Sequence, residues 1–97
     1  MEAKKFKVII VEDVKLELKG TEEIFRHEIP DAEVIGTAMT EQEFWSLMEV
    51  GVPDLVLLDL GLGGSTTIGV DICRNIFKRY PDVHVLSLIH ISEPTRH

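Results

Sequence analysis

Short apolar runs alternate with longer amphipathic stretches along this sequence. An unbroken apolar run bounded by turn residues is typical of a strand buried on both faces. Leu55–Leu58 is such a run, and three interrupted or weaker apolar stretches accompany it. Together they predict four strands, at 6–11, 33–38, 55–59 and 83–86. Helix-favouring composition and apolar residues that recur on one face predict three helices between them, at 14–28, 41–50 and 69–80. Strands that alternate with helices imply an α/β fold with a parallel sheet and helices on both faces.

Capping residues locate the second helix most closely. Thr40 is a good N-cap, and Glu43 three residues later completes a capping box. Gly51 stands in the usual position after a helix end, and Pro53 prevents the helix from resuming. The second helix is therefore expected between Thr40 and Gly51. Its predicted buried face carries Phe44, Leu47 and Met48.

The third helix carries the clearest amphipathic stripe in the chain. Its members are Val70, Cys73, Ile76, Phe77 and Tyr80. The stripe predicts that these side chains are buried against the sheet and that Cys73 is an inert, buried thiol. The glycine-rich segment at 61–67, which precedes the helix, is expected to be a long and flexible loop.

Length and charge restrict the class of protein. The chain has 97 residues, enough for one small domain, and 44% of them are hydrophobic, enough for a real core. A net charge of −7 argues against direct binding to nucleic acid phosphates. One cysteine allows no internal disulfide, and no apolar run approaches the roughly 20 residues of a membrane span. With a charged rather than apolar start, the expected location is the cytoplasm.

Acidic residues follow two of the predicted strands. Glu12 and Asp13 come directly after the first strand, and Asp59 ends the third. In a flavodoxin-like strand order of 2-1-3-4-5 these two strands are neighbours, about 4.8 Å apart. We therefore expect the three carboxylates to converge at the carboxyl edge of the sheet, where open α/β sheets bind ligands.

Three clustered carboxylates need a proton or a cation, because a pair at 4 Å repels by about 4 kcal/mol at an effective dielectric of 20. Oxygen ligands of this kind suit Mg²⁺, which also bridges to phosphate. We predict Asp59 as the nucleophile that forms an acyl phosphate and as a further metal ligand. Asp13 is the expected direct ligand, Glu12 acts through water, and the backbone carbonyl of Gly61 completes the set. For any acid alone, a solvated strand end or helix cap remains the alternative.

The stretches Lys7–Asp13 and Pro53–Leu60 together resemble the receiver domain of two-component response regulators, and Tyr80–Val83 is similar to the lead into that family's fourth strand. The resemblance covers residues 6–86 and implies a CheY-like variant of the flavodoxin-like fold. It also implies that Asp59 accepts a phosphoryl group from a sensor histidine kinase or a phosphotransfer protein. The acid pair would hold Mg²⁺, a C-terminal output domain would follow, and the domain itself would not be an enzyme beyond self-phosphorylation and autodephosphorylation.

The end of the sequence departs from the family's pattern. Leu86–Arg96 resembles a translated sequencing adapter, so we predict a C-terminally incomplete receiver domain at 6–86 and a non-native tail at 87–97. The family's hydroxyl residue after the fourth strand is expected near Ile89, inside that tail. Ser87 is two residues too early and is not assigned. The fifth strand and its lysine have no counterpart in this sequence.

Two other functions are compatible with the pattern. The first is a receiver-like interaction module that is never phosphorylated. Loss of Mg²⁺ binding together with no labelling by acetyl phosphate would support it. The second is a small Mg²⁺-dependent phosphatase, which requires turnover of an external phosphoester.

Overall fold

The computed structural model describes residues 5–62 and 66–88. Within that part the elements follow the order βαβαβαβ. They are β1 (Phe6–Val11), α1 (Lys15–Glu28), β2 (Ala32–Ala38), α2 (Glu41–Val50), β3 (Leu55–Asp59), α3 (Thr66–Arg79) and β4 (His84–Leu88). The strands form one parallel sheet in the order β2-β1-β3-β4. The α/β class and the predicted strand order are confirmed.

Successive side chains of a strand point to opposite faces of the sheet, and both faces carry apolar side chains. On one face Ile9 and Val56 pack in a cluster with buried residues of α2 and α3, which are Phe44, Met48, Ile72 and Ile76. On the other face Val8 and Leu57 pack in a cluster with Leu18 and Phe25 of α1. Helices therefore cover both faces, as the alternation of strands and helices predicted.

The starts of three strands are joined at Asp54. Its carboxylate oxygen Oδ2 accepts the amide hydrogen of Lys7 at 2.8 Å, and its own amide donates to the Lys7 carbonyl at 2.9 Å. The Asp54 carbonyl accepts from the amide of His84 at 3.0 Å. These bonds fix the register of β1, β3 and β4 at one edge of the sheet, and therefore also the level at which the strands end at the opposite edge.

The predicted orientation of α3 is wrong at two positions. Phe77 is 58% exposed and Val70 is 38% exposed, whereas Ile72, which lay outside the predicted stripe, is fully buried. The helix also begins at Thr66, three residues before the predicted start. The buried face includes Gly69, which has no apolar side chain. A pattern counted from apolar residues alone therefore placed the buried stripe too far around the helix axis.

The predicted tail at 87–97 falls almost entirely outside the described residues. β4 runs two residues past its predicted end at Leu86, because Ser87 pairs with Leu58 and Leu88 pairs with Asp59. Ile89 and the residues after it are outside the described part. The division into a domain at 6–86 and a non-native tail stays a prediction.

Candidate metal and phosphoryl site

β1 and β3 end side by side. Val11, the last residue of β1, pairs with Leu58, so the next residue of each chain segment, Glu12 and Asp59, stands at the same level. Asp13 follows in the turn before α1. The three residues offer carboxylate oxygens that all lie within 4.8 Å of one another. The structure therefore brings the three acids together, as the sequence predicted.

Two of these acids are removed from solvent. Asp59 is 3% exposed and Glu12 is 6% exposed, and they are the two buried charged residues within the described part of the chain. Asp13 is half-buried. Buried carboxylates are costly unless they are hydrogen-bonded, protonated or bound to a cation. The arrangement therefore favours a ligand that supplies positive charge.

Burial raises the pKa of Glu12 to about 6. The amide of Val14 donates to its Oε2 atom at 3.0 Å and opposes the rise, whereas the charge of Asp59 and a hydrogen bond between the two carboxyl groups add to it. Desolvation and like charge both disfavour the ionised form. Glu12 therefore holds its proton more tightly than a solvated glutamate does.

Asp59 is held by the turn that follows it. The amide of Gly61 donates to the Asp59 Oδ1 atom at 2.9 Å, which fixes the carboxylate from its own chain. Leu62 is 2% exposed and packs in the core with α2 and α3, so it anchors the far side of the turn. The expectation of a flexible loop is wrong at this position and at Thr66, where α3 begins; residues 63–65 lie outside the described part.

The donor set fits Mg²⁺, since it consists of hard oxygen atoms from carboxylates that approach one another closely. Asp13 and Asp59 offer carboxylates, and Glu12 offers a third. At Gly61 the structure records the amide as a donor to Asp59, whereas the role of its carbonyl as a ligand stays a prediction. Whether Glu12 acts through water also stays a prediction.

Ser87, which the sequence pattern did not assign to the site, lies next to Asp59 in the sheet but not on its face. It pairs with Leu58, the neighbour of Asp59, and side chains of paired residues in a parallel sheet share a face. Ser87 therefore lies on the face opposite the one that Asp59 occupies. Ile89, near which the family's hydroxyl is expected, lies outside the described residues.

Sequence reasoning missed two residues that pack at the turn after Asp59, Leu62 and Gly69. Leu62 was assigned to a flexible loop, and Gly69 was taken only as the start of a helix. An isolated apolar residue among glycines was the available signal for Leu62. For Gly69 the signal was a glycine in line with the apolar positions of a helix, which indicates a close approach by another backbone.

The family described as Response regulator receiver domain matches residues 8–95 of the chain. Among curated proteins, the transcriptional regulatory protein DegU of Brevibacillus brevis is 33% identical over 90 residues. That alignment covers 92% of this chain and 37% of the relative. The DNA-binding transcriptional activator DevR/DosR of Mycobacterium tuberculosis is 28% identical over 82 residues, which is 84% of this chain and 36% of that protein.

Solved structures agree with the sequence comparison. The response regulator PhyR from Brucella abortus superimposes with a TM-score of 0.72 at 30% identity, over 86% of this chain and 32% of that one. The non-phosphorylated receiver domain of RcsB from Escherichia coli gives a TM-score of 0.78 at 19% identity, over 93% and 69% of the two chains, and shows the shared fold.

The chain belongs to the response regulator receiver domain family. Its general role is that of a phosphoacceptor in two-component signalling, in which an aspartate takes up a phosphoryl group, and the alternative of an interaction module that is never phosphorylated is not favoured. Receiver domains of this kind are phosphoacceptors rather than classical enzymes. The chain spans about a third of the length of the curated relatives that it matches.

Within the described residues, no helix combines the length and the apolar character needed to span a bilayer. The cytoplasmic location stays a prediction.

Proposed function

We propose that Asp59 is the phosphoacceptor and that the donor is a phosphohistidine on a sensor histidine kinase or a phosphotransfer protein. The observation that carries the proposal is the meeting of three carboxylates within 4.8 Å at the ends of two paired strands. Asp59 is also fixed by the Gly61 amide, so one of the three carboxylates is oriented by its own turn.

The reaction joins one carboxylate oxygen of Asp59 to phosphorus. The bond from phosphorus to the donor's leaving atom breaks in the same step, and the donor keeps that electron pair and takes a proton from solvent. The product is an aspartyl phosphate, a mixed anhydride. Because the carboxylate is oriented before the reaction, the entropic cost of reaching the transition state is smaller.

Glu12, Asp13 and Asp59, with the carbonyl of Gly61, are the residues that would hold Mg²⁺. When bound, Mg²⁺ would neutralise the clustered carboxylates and attract the phosphoryl oxygens. Burial disfavours the ionised form of Glu12, so a nearby cation would stabilise its carboxylate.

For the whole protein we propose an output domain that regulates transcription. The support is that curated relatives named as transcriptional regulators are matched over only 36% to 39% of their length. With a net charge of −7, this chain is an unsuitable partner for DNA by itself. DNA contact is therefore assigned to the output domain and not to the receiver.

Labelling with acetyl phosphate and Mg²⁺ tests the proposed acceptor. We expect the wild-type chain to gain one phosphoryl group by intact-mass spectrometry and to lose it with hydroxylamine, which cleaves acyl phosphates. Asp59→Asn should gain none. Asp54→Asn, at the opposite end of the same strand, is the matched control and should be labelled like the wild type, because an amide oxygen still accepts from Lys7.

The outcomes separate the possible functions. Labelling of Asp59→Asn would place the acceptor elsewhere. A wild-type chain that neither binds Mg²⁺ nor is labelled would support the interaction module instead.

A further inference from the structure

Gly69 lies in direct contact with the backbone just after the proposed phosphoacceptor. It is the fourth residue of α3 and is buried. A Cβ atom added at Gly69 would stand 2.9 Å from both the Cα and the carbonyl oxygen of Leu60, and 3.2 Å from the Leu60 carbonyl carbon. Cβ atoms essentially never approach other atoms below 3.0 Å, so any other residue at this position would displace Leu60 or α3.

The contacted atoms belong to the peptide group that orients Asp59. The carbonyl carbon and oxygen of Leu60 and the amide nitrogen of Gly61 are held in one plane by the partial double bond of the peptide. The same Gly61 amide donates to Asp59 Oδ1 at 2.9 Å. A push on the Leu60 carbonyl is therefore transmitted as a rotation or shift of the amide that holds the carboxylate.

We infer that Gly69 is a positioning residue for phosphoryl acceptance: it allows α3 to approach Leu60 so closely that the Leu60–Gly61 peptide is held at the angle that orients Asp59. This inference rests on the proposed function of Asp59. The requirement at Gly69 is for space and not for an unusual backbone conformation, because its φ lies outside the left-handed region.

Two other glycines provide matched controls. Gly20 lies inside α1, and an added Cβ there meets nothing within 4 Å. Gly36 lies in β2, and an added Cβ meets the side chain of Leu47 at 2.8 Å, as close as the contact at Gly69 but with a flexible side chain away from the acids. Gly20→Ala therefore tests helix propensity alone, and Gly36→Ala tests crowding away from the acids. Gly69→Ala tests crowding at the turn that holds Asp59.

The experiment measures three quantities for the 97-residue chain and the variants Gly20→Ala, Gly36→Ala and Gly69→Ala. They are the position of the Gly61 amide resonance without Mg²⁺, the affinity for Mg²⁺ by calorimetry, and the rate of labelling by acetyl phosphate. For Gly69→Ala we expect a shifted Gly61 resonance, weaker Mg²⁺ binding and labelling about tenfold slower, because sub-ångström misplacement of a reacting group is costly. Gly20→Ala and Gly36→Ala should match the wild type in all three.

The inference is overturned if Gly69→Ala keeps the wild-type resonance and labelling rate, or if Gly36→Ala is slowed equally. Should Gly69→Ala not fold, it is repeated in the Gly20→Ala background, where alanine strengthens α1. Failure to fold there too would show that the contact serves the fold alone, which also overturns the inference. If the wild type is never labelled at Asp59, the proposed function fails separately, and the resonance and Mg²⁺ affinity still decide whether Gly69 positions the turn.

Discussion

Glu12 is the residue at which burial and charge are most directly opposed. It is 6% exposed, it faces another carboxylate, and one backbone amide donates to it. These surroundings raise its pKa to about 6, with burial as the largest cause. A group with a raised folded-state pKa binds its proton more tightly in the native state, so an ionised carboxylate here lowers the stability of the fold. A carboxylate buried at such a cost is expected where it binds a cation.

Replacing Glu12 by glutamine should therefore stabilise the chain in Mg²⁺-free buffer above pH 6. The ionised Glu12 opposes folding there, and the gain is about 2 kcal/mol in the free energy of unfolding. As pH falls through 6 towards 4.5, the native carboxyl becomes protonated and the advantage of Glu12→Gln disappears. Urea unfolding at pH 7.5, 6 and 4.5 measures the difference.

The control for this prediction is Glu49→Gln, a change of the same type at an exposed position on α2. A gain of the same size and pH dependence in Glu49→Gln would attribute the effect to net charge. A less stable Glu12→Gln variant at pH 7.5 would contradict the account of Glu12.

At the scale of elements, the two helices that follow β1 and β2 begin in different ways. Thr40 accepts the amide hydrogen of Glu43 at 3.1 Å, and the Glu43 carboxylate accepts from the amide of Met39 at 2.8 Å. The reciprocal bond of the predicted capping box thus reaches one residue further back than expected. α1 begins after Val14, which offers no side-chain cap, and the Val14 amide is bound instead by Glu12. The start of α2 is therefore capped by Thr40 and Glu43, whereas the start of α1 is bound by Glu12, one of the three clustered acids.

Thr40→Ala should lower the free energy of unfolding by about 1 kcal/mol, because an amide at the start of α2 loses its acceptor. Labelling of Asp59 should be unchanged, since α2 contributes none of the three acids. Denaturant unfolding and the acetyl phosphate assay measure the two quantities. Ser46→Ala, at an exposed position within α2, is the control, and a loss as large as that of Thr40→Ala would rule out a specific capping effect.

At the scale of the whole molecule, the acid cluster joins segments that are distant in the chain. Glu12 and Asp59 are 47 positions apart, yet they meet because β1 and β3 pair in register. Unfolding separates them, so a cation that binds all three acids binds the native state and not the unfolded chain. Binding at this site is therefore coupled to the stability of the entire sheet.

Mg²⁺ should raise the free energy of unfolding by about 2.7 kcal/mol at a concentration one hundred times its dissociation constant. Thermal unfolding measured with MgCl₂ and with NaCl at matched ionic strength separates binding from general screening of the net charge of −7. Asp59→Asn should lose most of the Mg²⁺ effect. Equal stabilisation by the two salts would mean that the acids hold no specific cation.

The local pattern of the sequence was enough to predict the strands, and a flavodoxin-like order of those strands then predicted the meeting of Glu12, Asp13 and Asp59. An apolar run followed by an acid identifies a strand end, and the α/β alternation restricts which strands are neighbours. The rotation of α3, the buried Leu62 and the contact at Gly69 came only from the tertiary structure. These features depend on contacts between backbone segments that are distant in the chain. Glycine also adds no apolar side chain to the pattern from which the buried face of a helix is counted. The sequence determined where the acids are, and packing between α3 and the turn after β3 decided how Asp59 is held.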